Sequence, residues 1–168
     1  LILAGAGSGK TRVLAHRIAY LVGVSGVPPW RILAVTFTNK AASELRDRII
    51  SLVGEGGRDV QAGTFHALCA RVLRQDGEAI GISRRFVIYD TDDQMSVVKR
   101  ALKDLDLDAK QFPPRMILSR ISNAKNVRAT PDDFRNQAET YNDEIVARVY
   151  PVYQQMLRQY QALDFDDL

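Results

Sequence analysis

The sequence has few of the residues that build disulfide frameworks and zinc sites. It contains one cysteine, Cys69, and two histidines in 168 residues. An internal disulfide is therefore excluded, and the usual Cys/His zinc cluster cannot be assembled. Because a chain without disulfides suits a reducing compartment, we expect a cytoplasmic protein. No run approaches the roughly 18 apolar residues that span a bilayer, so no membrane association is predicted.

The charge balance and the start of the sequence give weaker evidence about the partner and the extent of the protein. Lys and Arg total 23 against 20 Asp and Glu, and this net charge of +3 favours an anionic partner only weakly. The length suits one domain with an insertion. The first residue is not Met, and a strand pattern begins at Leu1, so we expect that further residues precede it in the natural protein.

A glycine-rich turn near the start carries the clearest chemistry. After a short apolar run the residues are Ala4, Gly5, Ala6, Gly7, Ser8, Gly9, Lys10, Thr11 and Arg12. Glycines allow successive N–H groups to face one concavity at the start of a helix, which suits a polyphosphate. Lys10 would reach the β- and γ-phosphates and Thr11 would hold Mg²⁺, so ATP and Mg²⁺ are the predicted ligands. A Gly/Ser turn that merely precedes a lysine is the alternative, and Ala4 replaces the glycine of the strict pattern.

Hydrophobic periodicity predicts an α/β arrangement over residues 1–89. Residues 10–22 read as an amphipathic helix, and residues 31–37 as a strand buried on both faces of a parallel sheet. A second helix follows, capped by Thr38 or Asn39. Residues 59–64 and 86–89 are further strands, with a helix from Phe65 between them. The apolar positions assigned to the helices are Val13, Leu14, Ile18, Leu21, Val22, Ala42, Leu45, Ile49, Leu52, Phe65, Leu68, Cys69, Val72 and Leu73.

From Asp90 onward the pattern becomes helical. Helices are predicted over about 92–105, 113–124, from Pro131, and over about 142–161, and no strand is indicated among them. We therefore place a boundary near Tyr89. The predicted organisation is a core over 1–89, a helical lobe over 90–162 and a return toward the core over 163–168.

Three blocks together resemble the UvrD/PcrA/Rep family of superfamily 1 DNA helicases. They are the glycine-rich block Ala4–Arg12, the block Ala34–Ala42 and the block Gly63–His66, which are similar to that family's motifs I, Ia and Ib. The resemblance covers nearly the whole chain and includes Ala4. Segments 88–94, 121–126 and 163–168 are similar to the family's connecting regions.

The resemblance implies an ATP-hydrolysing motor that moves 3′-to-5′ on single-stranded DNA and acts at junctions with duplex. Such a motor has two RecA-like domains, each with a helical insertion. This chain would be most of the first domain and its insertion, subdomain 1B. The Gln motif, the acidic motif, the second motor domain and its arginine finger would lie outside it, so the chain alone is not expected to turn over ATP. A nucleotide-kinase-type phosphotransferase, or a nucleotide- or DNA-binding module without turnover, is the alternative.

Two segments at predicted strand ends are candidate DNA contacts. Phe37 could stack on a base while Thr38, Asn39 and Lys40 hold phosphates, a combination that tolerates any base sequence. The alternative is that Phe37 is a core residue. Thr64, Phe65 and His66 form the second segment. His66 could touch the DNA backbone or cap its helix.

Several charged residues are not assigned to a site. Arg12 could support the phosphate site or face solvent. Asp166 and Asp167 do not follow an apolar strand, so we interpret them as solvated acids after a helix rather than as a magnesium-holding motif. The remaining basic pairs are interpreted as solvated faces: Arg84 with Arg85, Lys99 with Arg100, and Lys125 with Arg128.

Overall fold

The computed structural model describes residues 9–168. This part of the chain forms two compact units, one ending at Arg71 and the other comprising Val72–Leu168. The predicted boundary near Tyr89 falls inside the second unit, and the domain limits drawn from it stay a prediction. No helix among the described residues is long and apolar enough to cross a membrane.

The first unit alternates helices with parallel strands, as predicted. Its elements are α1 (Lys10–Gly23), β1 (Leu33–Thr36), α2 (Asn39–Val53), β2 (Gln61–Thr64) and the start of α3 (Phe65–Asp76). β1 and β2 pair in parallel from Leu33 opposite Gln61 to Thr36 opposite Thr64. The two strands therefore end side by side; α3 follows β2 directly, and α2 follows β1 after two residues.

α2 shows how the local sequence builds this unit. The Thr38 hydroxyl accepts a hydrogen bond from the Ala41 amide at 3.2 Å and caps the helix, as predicted. Leu45 and Ile49 are four residues apart, so they share the buried face. The helix ends at Gly54, whose positive φ of 81° is a backbone conformation that glycine adopts with little strain. The core of the unit consists of Ala15, Ile18, Ala34, Leu45, Ile49, Val60 and Ala62.

Some predicted apolar positions are wrong. Val13 and Leu14 are 46% and 37% exposed. The predicted burial of Ile18 is confirmed, but Ala15, which was not predicted, forms the buried face of α1 with it. Leu33 is half exposed although Ala34 is buried, so β1 is not covered on both faces. The difference in exposure between Leu33 and Ala34 arises because successive side chains of a strand point to opposite faces of the sheet. Ala34 lies on the face that packs against the helices and Leu33 on the other face. Further predicted apolar positions that are exposed are Leu52, Phe65 and Val72.

The second unit is mainly helical. Its elements are β3 (Val87–Ile88), α4 (Thr91–Asp104), α5 (Pro114–Asn126), α6 (Pro131–Asn136), α7 (Tyr141–Gln159) and β4 (Ala162–Leu163), with 3-10 helices at Gly77–Ile80 and Phe165–Asp167. The helices begin where predicted because their caps are encoded locally: Asp90, Thr130 and Thr140 each form a capping box with an aspartate three residues on. The core centres on Tyr153, Ile117 and Val149.

The end of the second unit departs from the prediction. We expected a helix through Gln161 and solvated acids after it, but α7 ends at Gln159 and Gln161 adopts a left-handed φ of 50°. The chain then forms β4, which pairs in parallel with β3. A two-residue strand is too short to show a periodicity of its own, which explains why the sequence pattern did not indicate it.

Candidate nucleotide and nucleic-acid site

The described part of the glycine-rich block stands at the start of α1. Gly9 has a φ of 84°, a left-handed conformation that glycine adopts readily, and it caps the helix that begins at Lys10. Its carbonyl accepts a hydrogen bond from the Val13 amide at 3.0 Å. Lys10 and Arg12 are exposed and Thr11 is half-buried. A glycine turn thus delivers a lysine and a hydroxyl to the positive end of a helix dipole.

The other predicted phosphate-loop residues cannot be described. Ala4, Gly5, Ala6, Gly7 and Ser8 lie outside the described residues. Within the described residues, no group of three or more His, Cys, Asp and Glu side chains could hold a metal ion. The Thr11 hydroxyl is a hard oxygen donor at the helix start, which fits a Mg²⁺ ion that takes its other ligands from phosphates and water.

The two candidate DNA segments are adjacent in the structure. Because Thr36 pairs with Thr64, the residues that follow them, Phe37 and Phe65, leave the sheet at the same edge. Their ring centroids are 5.4 Å apart with a tilt of 47°. The edge therefore carries two aromatic rings, as the order of strands and helices predicts.

Phe37 is not a core residue. It is 88% exposed, whereas Phe65 beside it is 44% exposed. The interpretation of Phe37 as core is wrong, because the residue directly follows the end of β1 and its side chain lies in solvent. A large apolar ring held in water at a strand end is available for stacking.

Hydrogen bonds fix the backbone around these rings. Thr36 Oγ1 lies 3.1 Å from Thr38 O and 3.5 Å from Gly63 O, which ties the ends of both strands together. The Thr64 hydroxyl accepts a hydrogen bond from the Ala67 amide at 3.2 Å and so caps α3. Thr38 and Thr64 both use an oxygen lone pair for capping, and each keeps its hydroxyl proton for a further acceptor.

The remaining predicted residues line the same edge. Asn39 and Lys40 are exposed in the first turn of α2, and His66 is exposed in the first turn of α3. Two helix starts with exposed polar side chains thus flank the aromatic pair. Helix N-termini favour anions, so the edge combines apolar rings with groups that suit a phosphate backbone.

A buried ionic cluster in the second unit escaped the sequence prediction. Lys125 Nζ lies 2.7 Å from Asp164 Oδ2 and 2.8 Å from Asp167 Oδ1, and the Tyr153 hydroxyl donates to Asp164 at 2.9 Å. The Lys125 and Asp164 side chains are 5% and 1% exposed, and that of Asp167 is 17% exposed. The interpretation of Lys125 and Asp167 as solvated is therefore wrong. A usable signal existed, because Lys125 follows the buried Ile121 by four residues on α5.

Burial sets the electrostatics of this cluster. It raises the pKa of Asp167, with the charge of Asp164 adding to the effect and Lys125 opposing it. Burial, and then the charge of Asp164, raises the pKa of the Tyr153 hydroxyl far above its ordinary range. Burial and the nearby aspartates likewise raise the pKa of Tyr150 to about 12. The tyrosines are therefore neutral hydrogen-bond donors, and one ammonium faces two carboxylates.

Comparison with known proteins shows the family to which the chain belongs. The family model of the UvrD/REP helicase N-terminal domain matches residues 1–168. The chain belongs to this family. It is 54% identical to the ATP-dependent DNA helicase PcrA of Bacillus subtilis and 56% identical to that of Leuconostoc citreum. Identity to PcrA of Staphylococcus epidermidis is 52%.

These matches cover all of this chain but only part of each relative. The chain spans 23% of the length of these PcrA proteins. The family resemblance inferred from the three sequence blocks is thus confirmed. The observed folding pattern, helices with small parallel sheets, is that of an α/β helicase N-terminal domain.

Proposed function

We propose that the chain is the ATP-binding part of a DNA helicase that moves 3′-to-5′ along single-stranded DNA and works at junctions with duplex. The proposal includes a RecA-like core and a second motor domain elsewhere in the longer protein. The observation that carries it is the pair of exposed rings, Phe37 and Phe65, on a sheet edge flanked by helix starts. The names of the PcrA relatives support ATP and DNA as the substrates, and the proposed location is the cytoplasm.

The nucleotide would be held by the glycine-rich block. In this proposal the backbone amides of residues 5–11 surround the phosphates and Lys10 supplies the largest single positive charge. The Thr11 hydroxyl would hold Mg²⁺, and the bound ion would neutralise charge that develops on the phosphates. Arg12, exposed in the same helical turn, extends the positive surface.

The DNA strand would lie across the edge formed by residues 37–40 and 64–66. A base stacks on Phe37, with Phe65 supporting the ring from the side. Asn39, Lys40 and His66 contact the backbone, together with the hydroxyls of Thr38 and Thr64. Stacking and phosphate contacts do not depend on the base, so binding is independent of DNA sequence.

The chain on its own is proposed to bind without useful turnover. Phosphoryl transfer depends on positioning and on charge neutralisation from several groups. A chain that spans 23% of its relatives would contain only some of them. The resemblance implies that the acidic motif and the arginine finger are contributed by other parts of the longer protein.

The test of the nucleotide site uses the longer protein and the variant Lys10→Ala. Hydrogen bonds to charged groups are worth about 1.5–3 kcal/mol, so calorimetry should show Mg-ATP affinity reduced by about 10- to 100-fold. The matched control is Lys99→Ala, which removes an exposed lysine of α4 and should leave the affinity unchanged. Equal affinity for the wild type and Lys10→Ala would refute the phosphate-loop assignment.

A further inference from the structure

The return segment, Ala162–Leu168, is held to the second unit by few backbone contacts. β4 is two residues long and pairs with only the two residues of β3. The Val87 amide donates to the Gln161 carbonyl at 3.0 Å, and the Tyr89 amide donates to the Leu163 carbonyl at 2.9 Å. The backbone bonds alone specify register weakly, because a shifted strand could form the same kind of bonds. Ala162, which is 3% exposed, opposes a one-residue shift with only a single buried methyl group.

The Lys125 cluster meets this segment directly after β4. Lys125 lies near the end of α5 and contacts both Asp164 and Asp167, while Tyr153 of α7 binds Asp164 from another side. Asp164 and Asp167 also bind each other's backbone amides at 3.1 and 3.0 Å, which makes the turn rigid. Two helices, α5 and α7, therefore converge on the turn that carries the two carboxylates, whose positions are fixed by directional bonds.

Stability alone does not account for such a cluster. Two other ion pairs of this unit, Arg135 with Asp132 and Arg84 with Glu78, are exposed, and a third, Arg120 with Asp143, is partly buried. A buried ionic group can often be replaced by neutral side chains without loss of stability, whereas its directional bonds can select one arrangement among several. Here the arrangement that they would select is the register of β4 against β3.

We infer that Lys125 is a positioning residue that fixes the register of the return segment and hence the direction in which the chain leaves the helical unit. A shifted register would move everything that follows Leu168 in the longer protein. The kinetic consequence rests on the proposed function, because it assumes that groups needed for ATP hydrolysis lie beyond this segment. The effect of Lys125 on the register of β4 against β3 does not depend on the proposed function.

The experiment compares Lys125→Met and the neutral triple variant Lys125→Met/Asp164→Asn/Asp167→Asn in the longer protein. Hydrogen exchange is followed at the peptide that contains Val87 and Tyr89, whose amides report the β3–β4 pairing. Protection there should fall by about 100-fold in Lys125→Met, while α2 keeps its protection. The triple variant should recover the thermal stability of the wild type without recovering this protection.

ATPase measurements provide the second readout. Misplacement of a reacting group by about 1 Å can cost about 100-fold, so kcat should fall by about 10- to 100-fold in both variants with KM for ATP unchanged. The control Arg135→Met breaks an exposed ion pair of the same unit and should match the wild type in every assay.

Several results would overturn the inference. The inference is wrong if the triple variant has the hydrogen-exchange protection and the kcat of the wild type. It is also wrong if both variants fail to fold, because Lys125 would then serve stability alone. If the wild-type longer protein hydrolysed no ATP, the proposed function would fail. The exchange measurement would still decide the role of Lys125.

Discussion

Replacing Phe37 by alanine should separate DNA binding from folding. The ring is 88% exposed and its described aromatic contact is with Phe65, at 5.4 Å between centroids. An aromatic pair contributes about 0.5–1.5 kcal/mol, which is an upper estimate of what Phe37→Ala removes from the free energy of unfolding. Stacking of a base on a ring is worth roughly 1–3 kcal/mol, which corresponds to a loss of DNA affinity of about 5- to 150-fold.

The assay is fluorescence anisotropy of labelled single-stranded oligonucleotides of several sequences with the longer protein at fixed salt. Phe37→Ala should weaken all of them by a similar factor. It should leave the dependence on salt concentration unchanged, because no phosphate contact is lost. Basal ATPase should persist while DNA-stimulated ATPase falls.

Trp30→Ala is the matched control for this prediction. Trp30 is a 63% exposed aromatic residue just before β1, whereas Phe37 just follows it. The two substitutions therefore remove an exposed ring from opposite ends of one strand. Equal DNA affinities for the two variants would refute the stacking role, and a parallel loss of basal and stimulated ATPase would show that Phe37 supports the fold instead.

Two further predictions concern stability. A Cβ added at Gly57 would lie 3.1 Å from Ile50 Cα and 3.2 Å from the Ile49 carbonyl carbon, whereas one at Gly56 meets nothing within 4 Å. Thermal unfolding should therefore show that Gly57→Ala lowers the free energy of unfolding by about 1–3 kcal/mol and that Gly56→Ala lowers it much less. Equal Tm values for the two variants would contradict the close packing at Gly57. Burial raises the pKa of Asp167 above its ordinary value of 3.8. The neutral carboxyl group therefore makes its full contribution to the free energy of unfolding below pH 3.8, and this contribution is lost as the pH rises through the raised pKa. The wild type should then lose stability relative to Asp167→Asn over this range, and a pH-independent difference in unfolding free energy would refute the shift.

Local signals in the sequence predicted most of the elements. Asp90 and Thr140 begin helices because each cap and its aspartate lie three residues apart, a relation that is visible without the fold. The convergence of Phe37 and Phe65 was also predictable, since parallel strands joined by a helix end at the same edge. The prediction succeeded where structure depends on neighbours in sequence or on a single topological rule.

The errors arose where distant residues decide the outcome. The side of α1 that is buried depends on what packs against it, so the periodicity could not distinguish Leu14 from Ala15. The helical spacing from Ile121 indicated that Lys125 is buried. No local pattern identifies its partner, because the ion pair with Asp164 spans 39 residues. The left-handed turn at Gln161 and the short β4 likewise depend on pairing with β3, which lies far earlier in the chain.

The exposure of the phenylalanines supports a functional reason for Phe37. Phe86 and Phe112 are 4% exposed, as folding requires of large apolar side chains. Phe37 differs because it lies at the edge of the sheet where helices begin and polar side chains gather. Folding gains almost nothing from a ring that is 88% in water, and a serine or asparagine there would suit solvent better. This exposure supports the proposed stacking of a ligand with an apolar face on Phe37, and the neighbouring helix starts suit a ligand that also carries negative charge. A strand of nucleic acid has both properties.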